Sequence, residues 1–254
     1  MVDIAGLRRK KGWMNLRVVK TRDDTHDTRT FYMIDDDEGN IPFDYIAGQY
    51  LTFRFDGVQD KPLVRSYTMS SSPVETDACA FTVKRVEKGV ISNWLCDHVE
   101  VGSILKARGP IGRFCWGIDS SQPHLYMVAA GSGVTPFISI LREYQGRLGQ
   151  EGAPASMNLL VSYRTTDDLI CMPEIEEARR HPGVRVAISL TRQETEGDDY
   201  LHGRPDQAMV QDFLTHDSGQ CTFMTCGPEG LMDMTTAFAK GLGVDDKHIL
   251  TEAF

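Results

Sequence analysis

The sequence predicts a two-domain protein: an antiparallel six-stranded β-barrel over residues 1–115, then an α/β domain built on a parallel sheet over residues 116–254. Three observations predict it. Up to Pro110 the chain reads as short strands separated by turn residues, and beyond Pro123 apolar runs alternate with helical patterns. A length of 254 residues leaves room for two modest domains.

In the first half the strands fall at Met14–Thr21, Thr28–Ile34, Gln49–Phe55, Arg65–Ser70, Ala80–Val86 and Ser103–Arg108. Turn signals at Glu38-Gly39-Asn40, Asp56-Gly57, Ser72-Pro73 and Lys88-Gly89 separate them. Leu51-Thr52-Phe53-Arg54-Phe55 alternates apolar and polar residues, which suits a sheet with one buried face. Six such strands close naturally into a small barrel. A short helix near Ser92–Val99 interrupts them, with Ser92 as its expected cap. The acidic run Asp35–Glu38 reads as a solvated turn, and Arg8–Lys11 as a frayed basic tail.

The segment Gly112–Gln122 is the expected join. In the second half, strands are predicted at His124–Ala130, Asn158–Arg164, Arg185–Thr191, Cys221–Cys226 and His248–Ala253. Helices are predicted from Thr135 and around Pro173–Arg180, Asp206–Leu214 and Glu229–Gly241. Thr135 is placed to cap its helix and Pro136 suits the first turn, after which Phe137, Ile140, Leu141 and Tyr144 share one face. Strands alternating with helices imply a parallel sheet covered on both sides.

Composition narrows the function. With 27 basic and 36 acidic residues the formal charge is −9, a field that repels nucleic-acid phosphates and anionic membranes. No apolar run reaches the roughly 18–20 residues of a membrane span. The first residues, Met1–Trp13, lack the apolar core of a secretory signal, so a cytoplasmic location is expected. The six cysteines form no Cys-x-x-Cys pair and keep no zinc or iron–sulfur spacing, which predicts free thiols and no metal. Cys221 and Cys226 bracket a strand and should point to opposite faces.

Candidate chemistry lies in four places. Gly131-Ser132-Gly133 between a strand and a helix suits a phosphate: small residues expose backbone N–H groups, and the helix adds its positive end. A tight strand-to-helix turn explains the same residues, and the third glycine of the dinucleotide fingerprint is absent. Cys226-Gly227-Pro228 ends another parallel strand, so both turns should face one crevice, although Cys226 also reads as a small buried residue. On the strand Arg65-Ser66-Tyr67-Thr68, Arg65 and Tyr67 share one face while Ser66 and Thr68 share the other. Val83-Lys84-Arg85, followed by Gly89-Val90-Ile91-Ser92, sets cations beside a helix start, which is either a second anion site or an ordinary cap.

In order and spacing the motifs Gly48-Gln49-Tyr50, Arg65–Ser71, Val83–Arg85, Gly89–Asn93, Gly109–Phe114, Gly131–Pro136, Cys226–Pro228 and Glu252-Ala253-Phe254 resemble the ferredoxin–NADP⁺ reductase superfamily. The match is to the FAD-dependent reductases that feed oxygenases, ferredoxins and flavohaemoglobins, and it spans nearly the whole chain. The resemblance implies that residues 1–115 bind FAD and residues 116–254 bind NAD(P)H. Arg65 would then hold a flavin phosphate, Tyr67 would pack on the isoalloxazine, and Thr68 would place its hydroxyl near N5. Val83–Arg85 and Gly89–Ser92 would take the rest of the flavin chain, favouring FAD over FMN. Gly131, Thr135 and Pro136 would receive the nicotinamide nucleotide's pyrophosphate and ribose. Gly227 and Pro228 would line its crevice, with Cys226 and Glu252 near the reacting carbon. Phe254 would stack on the flavin.

The expected activity is hydride uptake from NAD(P)H and release of single electrons to a protein-bound centre: a ferredoxin, an iron–sulfur domain, a haem protein or an oxygenase. Two other readings stay open, a flavin or quinone reductase serving a small acceptor and a non-catalytic nucleotide-binding module. No carboxylate follows the strand Asn158–Ser162 before Asp167, while Arg164 and Arg192 stand where a 2′-phosphate would need cations, so the reading leans to NADPH over NADH. The motifs end at Phe254, which fits either a separate reductase or a piece of a longer chain. Arg8–Lys11 offers an alternative role in docking an acidic ferredoxin.

Overall fold

The computed structural model describes residues 6–253. Its first half contains β1 (Met14–Thr25), β2 (Thr28–Asp35), β3 (Tyr50–Phe55), β4 (Leu63–Thr68), β5 (Cys79–Lys84), α1 (Val90–His98) and β6 (Ile104–Ile111). The strands pair antiparallel in the order β4-β3-β6-β1-β2-β5. Just past β4, Met69 pairs with Phe81, and the Ser70 N–H donates to the Ala80 carbonyl at 2.8 Å. The two outer strands therefore meet, and the sheet closes as the alternation predicted. Leu16, Phe31, Met33, Leu51, Phe53 and Phe81 fill the interior, and α1 adds Ile91 and Leu95 to that core.

The second half contains β7 (His124–Ala130), α2 (Thr135–Tyr144), β8 (Ser156–Tyr163), α3 (Met172–Arg179), β9 (Val184–Leu190), β10 (Leu201–His202), α4 (Gln207–Phe213), β11 (Cys221–Cys226), α5 (Glu229–Gly241) and β12 (Ile249–Glu252). All its strand pairs are parallel, in the order β10-β9-β8-β7-β11-β12. Alternation along β7 explains the two covered faces. Leu125, Met127 and Ala129 join α2 and α3 in one core, while Tyr126 and Val128 join α4 and α5 in another. Cys226 belongs to the first core and Cys221 to the second, on opposite faces as expected. The chain starts at β7, works outward to β10, and returns to β11 on β7's other side. The carboxyl ends of β7 and β11 are thus the switch point where such sheets bind ligands.

The join is packed into the core. Phe114 lies 5.7 Å from Phe137 and Trp116 lies 5.3 Å from Tyr144, ring centre to ring centre, both contacts running to α2. α2 is consequently buried on more than its amphipathic stripe: Ile138 and Ser139 are as inaccessible as Phe137 and Ile140. Burying each of its large apolar side chains contributes roughly 1.5–3 kcal/mol.

Several local expectations are corrected. The acidic run is not wholly solvated: Asp35 is buried, pairs with Lys10 at 2.6 Å, and accepts the N–H groups of Asp37 and Glu38. Nor is the basic segment frayed, since Arg8 donates to Asp44 and to the Ile41 carbonyl. Ser92 does not cap α1; the cap position is Gly89, and the Ser92 hydroxyl accepts the Val86 N–H at 3.1 Å. Thr135 does not cap α2 either. Gly131–Val134 already forms a 3₁₀ turn, and the Thr135 hydroxyl donates back to the Ser132 carbonyl at 3.0 Å. Among the described residues no helix is long and apolar enough to cross a membrane.

Candidate active site

Two lips of the second sheet form the crevice. An added Cβ on Gly133 would stand 2.3 Å from the Cys226 carbonyl oxygen, so only glycine lets the turn after β7 approach the end of β11. Gly227 answers it with φ at +146°, its Cα facing the Ala130 backbone. The glycines predicted to face one crevice are in contact. Their 3₁₀ turn feeds α2, whose second residue is Pro136, so the positive end of that helix lies at this point.

Beside the crevice sits Glu252, whose β12 position pairs in register with Cys226. Its Oε2 is buried and has no partner among the described residues. Burial alone pushes its carboxyl up to about 7. Burial, then the nearby Glu252, also raises the Cys226 thiol far above its usual range. Cys115 in the join is raised by the same two causes. Both thiols stay protonated, so neither is a thiolate nucleophile. Cys115 escaped the sequence reading because only the fold carries the join to β12.

In the barrel, Tyr67 is half-buried against Phe53 and Phe81, and Arg65 is exposed on the same face. The only hydrogen bond described for the Arg65 guanidinium runs to its neighbour's carbonyl, that of Val64, at 2.7 Å. Ser66 faces the other way and shares a 3.1 Å hydrogen bond with Thr52. Thr68 is buried, and its Oγ1 lacks any partner among the described residues. An orphaned hydroxyl costs about 1–3 kcal/mol unless a ligand completes it.

The second anion site looks different from its expectation. Val83 is buried in the barrel, and Lys84 is held by Asp27 at 2.6 Å and reaches Asp168 at 3.6 Å. Arg85 pairs with Asp97 at 2.6 Å. Beside them is the α1 start, with Gly89 at the cap, Val90 exposed, and Ile91 and Ser92 buried. Arg164 and Arg192 are exposed at neighbouring strand ends, where the Arg192 N–H donates to the Arg164 carbonyl at 2.9 Å. Phe254 lies outside the described residues.

The two half-sites adjoin. β5 approaches the Gly131–Val134 turn, and the segment after Thr68 is bonded to α2: Ser139 donates to the Ser71 carbonyl at 2.6 Å. The groups present fit a flavin on the barrel side. An orphaned hydroxyl, a half-buried aromatic and an arginine with no acidic partner among the described residues suit the donors, ring and phosphates of FAD.

Fold and site together define a two-domain flavin- and nicotinamide-nucleotide-binding oxidoreductase. Residues 15–116 match the oxidoreductase FAD-binding domain and residues 127–237 the oxidoreductase NAD-binding domain. Between them the two matches cover most of the chain, which belongs with the FAD- and NAD-binding oxidoreductases. It is 32% identical over 246 residues to the glycine betaine monooxygenase reductase subunit of Chromohalobacter salexigens, covering 96% of this chain and 64% of that protein. It is 39% identical over 241 residues to the ferredoxin reductase component of 3-ketosteroid-9-alpha-monooxygenase from Rhodococcus rhodochrous, covering 94% and 64%. The chain therefore spans less than two thirds of these curated relatives. Its fold is similar to the flavohaem-like FAD/NAD-binding domain of nitric oxide dioxygenase from Vibrio cholerae, with TM-score 0.81, 23% identity, and coverage of 95% of this chain and 98% of that one.

Proposed function

We propose that this protein takes a hydride from NAD(P)H and passes electrons singly to a protein-bound iron–sulfur or haem centre, as the reductase part of an oxygenase system. Residues 1–115 hold FAD and residues 116–254 hold the nicotinamide nucleotide. The observation that carries the reading is the buried, unpartnered Thr68 hydroxyl. It ends a strand whose other face offers Arg65 and Tyr67, and the following residues are fastened to the helix of the nucleotide crevice. FAD, when bound, supplies the conversion of a two-electron donor into one-electron steps.

The chain's own residues bind and align. Arg65 and the α1 start hold flavin phosphates, Tyr67 packs on the ring, and Thr68 directs its hydroxyl to the reacting edge. Gly131–Pro136 and Gly227-Pro228 seat the nucleotide. Cys226 and Glu252 wall the reacting position from water, and Glu252 can hold or release a proton at its Oε2 near neutral pH. The two relatives named above are parts of monooxygenases, which supports an oxygenase or its ferredoxin as the acceptor.

An anaerobic visible spectrum titrated with NADH and NADPH tests the reading. Flavin absorbance bleached by one equivalent of nucleotide is expected; a protein that takes up no FAD would sink the proposal. Arg65→Ala should weaken FAD retention about 10- to 100-fold, a charge-assisted phosphate bond being worth roughly 1.5–3 kcal/mol. Full flavin content after gel filtration would remove Arg65 from that role. Arg164 and Arg192, at adjacent strand ends, support a preference for NADPH. Replacing both with Ala should raise KM for NADPH at least about tenfold with little effect on NADH; equal losses would show that no 2′-phosphate is read there.

A further inference from the structure

We propose that Arg142 and Ser139 on α2 act as positioning residues that fix the register between the flavin-binding strand and the nicotinamide crevice. The inference rests on the reductase reading above. α2 begins at the Gly131–Val134 turn, so its N-terminus belongs to the nucleotide site. Its later residues grip the three serines that follow Thr68 by one residue. The Arg142 guanidinium donates to the Ser70 carbonyl at 3.3 Å, Ser139 donates to the Ser71 carbonyl at 2.6 Å, and Ser72 donates to Glu143 at 3.1 Å. Positions 139, 142 and 143 are spaced i, i+3, i+4 and so lie on one face of the helix. One helix is bonded at its start to one reactant's cradle and along its side to the other's.

The grip is reinforced by a chain of alternating charges across the domain boundary. Arg142 pairs with Glu75 at 2.5 Å and approaches Glu174 of α3 at 3.9 Å. Glu174 is held from β1 by Arg22 at 2.7 Å, and Arg22 also pairs with Asp24 at 2.6 Å. Lys84 makes a further crossing to Asp168. The Glu174 side chain is only 11% exposed and that of Arg142 20%, so these pairs are shielded far better than surface ion pairs. Each guanidinium branch of Arg142 has its own target, which a lysine ammonium reproduces in part.

Hydride transfer needs its donor carbon on the nicotinamide and its acceptor nitrogen on the flavin aligned within tenths of an ångström, and a misplacement near 1 Å costs on the order of 100-fold. Breaking the clamp should therefore slow the transfer while leaving each ligand's own contacts in place. The variants are Arg142→Met, which keeps the length and removes the donors, Arg142→Lys, and Ser139→Ala, all as flavin-loaded full chains.

Anaerobic stopped-flow mixing with NADH or NADPH gives the limiting rate of flavin bleaching, the nucleotide Kd, and the long-wavelength charge-transfer absorbance of stacked nicotinamide and flavin. For Arg142→Met we expect a limiting rate at least about tenfold lower, a Kd within twofold and a weakened charge-transfer band. Arg142→Lys should recover part of the rate, and Ser139→Ala should show a smaller loss of the same kind. Wild-type rate and band in Arg142→Met overturn the proposal, as does a loss explained entirely by flavin content or melting temperature with the rate per bound flavin unchanged. A wild-type flavin that neither nucleotide reduces would instead overturn the reductase reading itself.

Discussion

Gly133→Ala is expected to cost the folded protein about 3 kcal/mol and to abolish measurable nucleotide binding. The new Cβ would lie 2.3 Å from the Cys226 carbonyl oxygen, 2.6 Å from its carbon and 2.9 Å from the Gly227 nitrogen. All three are backbone atoms of β11 or the turn after it, and β11 is paired on both sides by β7 and β12. No flexible side chain can move aside, so the two lips of the crevice must part. Urea midpoints give the stability change, and quenching of protein fluorescence by NADH gives the binding. Gly230→Ala is the control: its Cβ meets nothing within 4 Å, and in a helix it should be neutral or gain up to about 1 kcal/mol. Wild-type stability and binding in Gly133→Ala would show that the lips do not close as described.

Glu252→Gln should change how stability depends on pH more than any other single exchange at the site. The Oε2 of this carboxyl is buried without a partner among the described residues, and its folded-state value of about 7 lies above its ordinary 4.5. The sign follows from proton counting. Between about 4.5 and 7 the folded state keeps a proton that the unfolded state releases, so wild-type stability falls as pH rises through that window. Below it both states are protonated and the effect vanishes. The amide does not titrate, so the variant should gain on the wild type by about 2–3 kcal/mol between pH 4.5 and pH 8. Urea unfolding of the flavin-free proteins at several pH values measures this. Parallel curves for the two proteins would mean that Glu252 ionises as it does in water.

What could be read from the sequence was local. The alternation of Leu51–Phe55, the glycines at 131, 133 and 227, and the 3.6-residue spacing of Phe137 to Tyr144 each reflect neighbours along the chain. The fold carries all of them as expected. Misreadings arose where a distant residue decides. Lys84 and Arg85 read as cations without partners, but the fold pairs them with Asp27, Asp168 and Asp97. Arg8 and Lys10 look like a loose tail, but the fold brings Asp44 and Asp35 beneath them. Thr135 and Ser92 have the composition of caps, yet in each case a turn begins earlier and the hydroxyl is spent elsewhere. The two-residue strand Leu201–His202 has no pattern to detect. Ser139 and Arg142 read only as polar positions of an amphipathic helix, because their partners sit some seventy residues away in the other domain.

All six cysteines are free and buried, and burial raises the thiols of Cys79, Cys96, Cys115, Cys171, Cys221 and Cys226. A maleimide reacts with thiolates that it can reach, and this chain presents none in its native state. The protein is therefore a ready scaffold for single-site labelling. One cysteine placed at an exposed position of the barrel, such as Lys106, would take up one dye without removing any native thiol, and a second at Arg179 on α3 would supply its counterpart. The pair would report the distance between flavin and nucleotide halves during turnover.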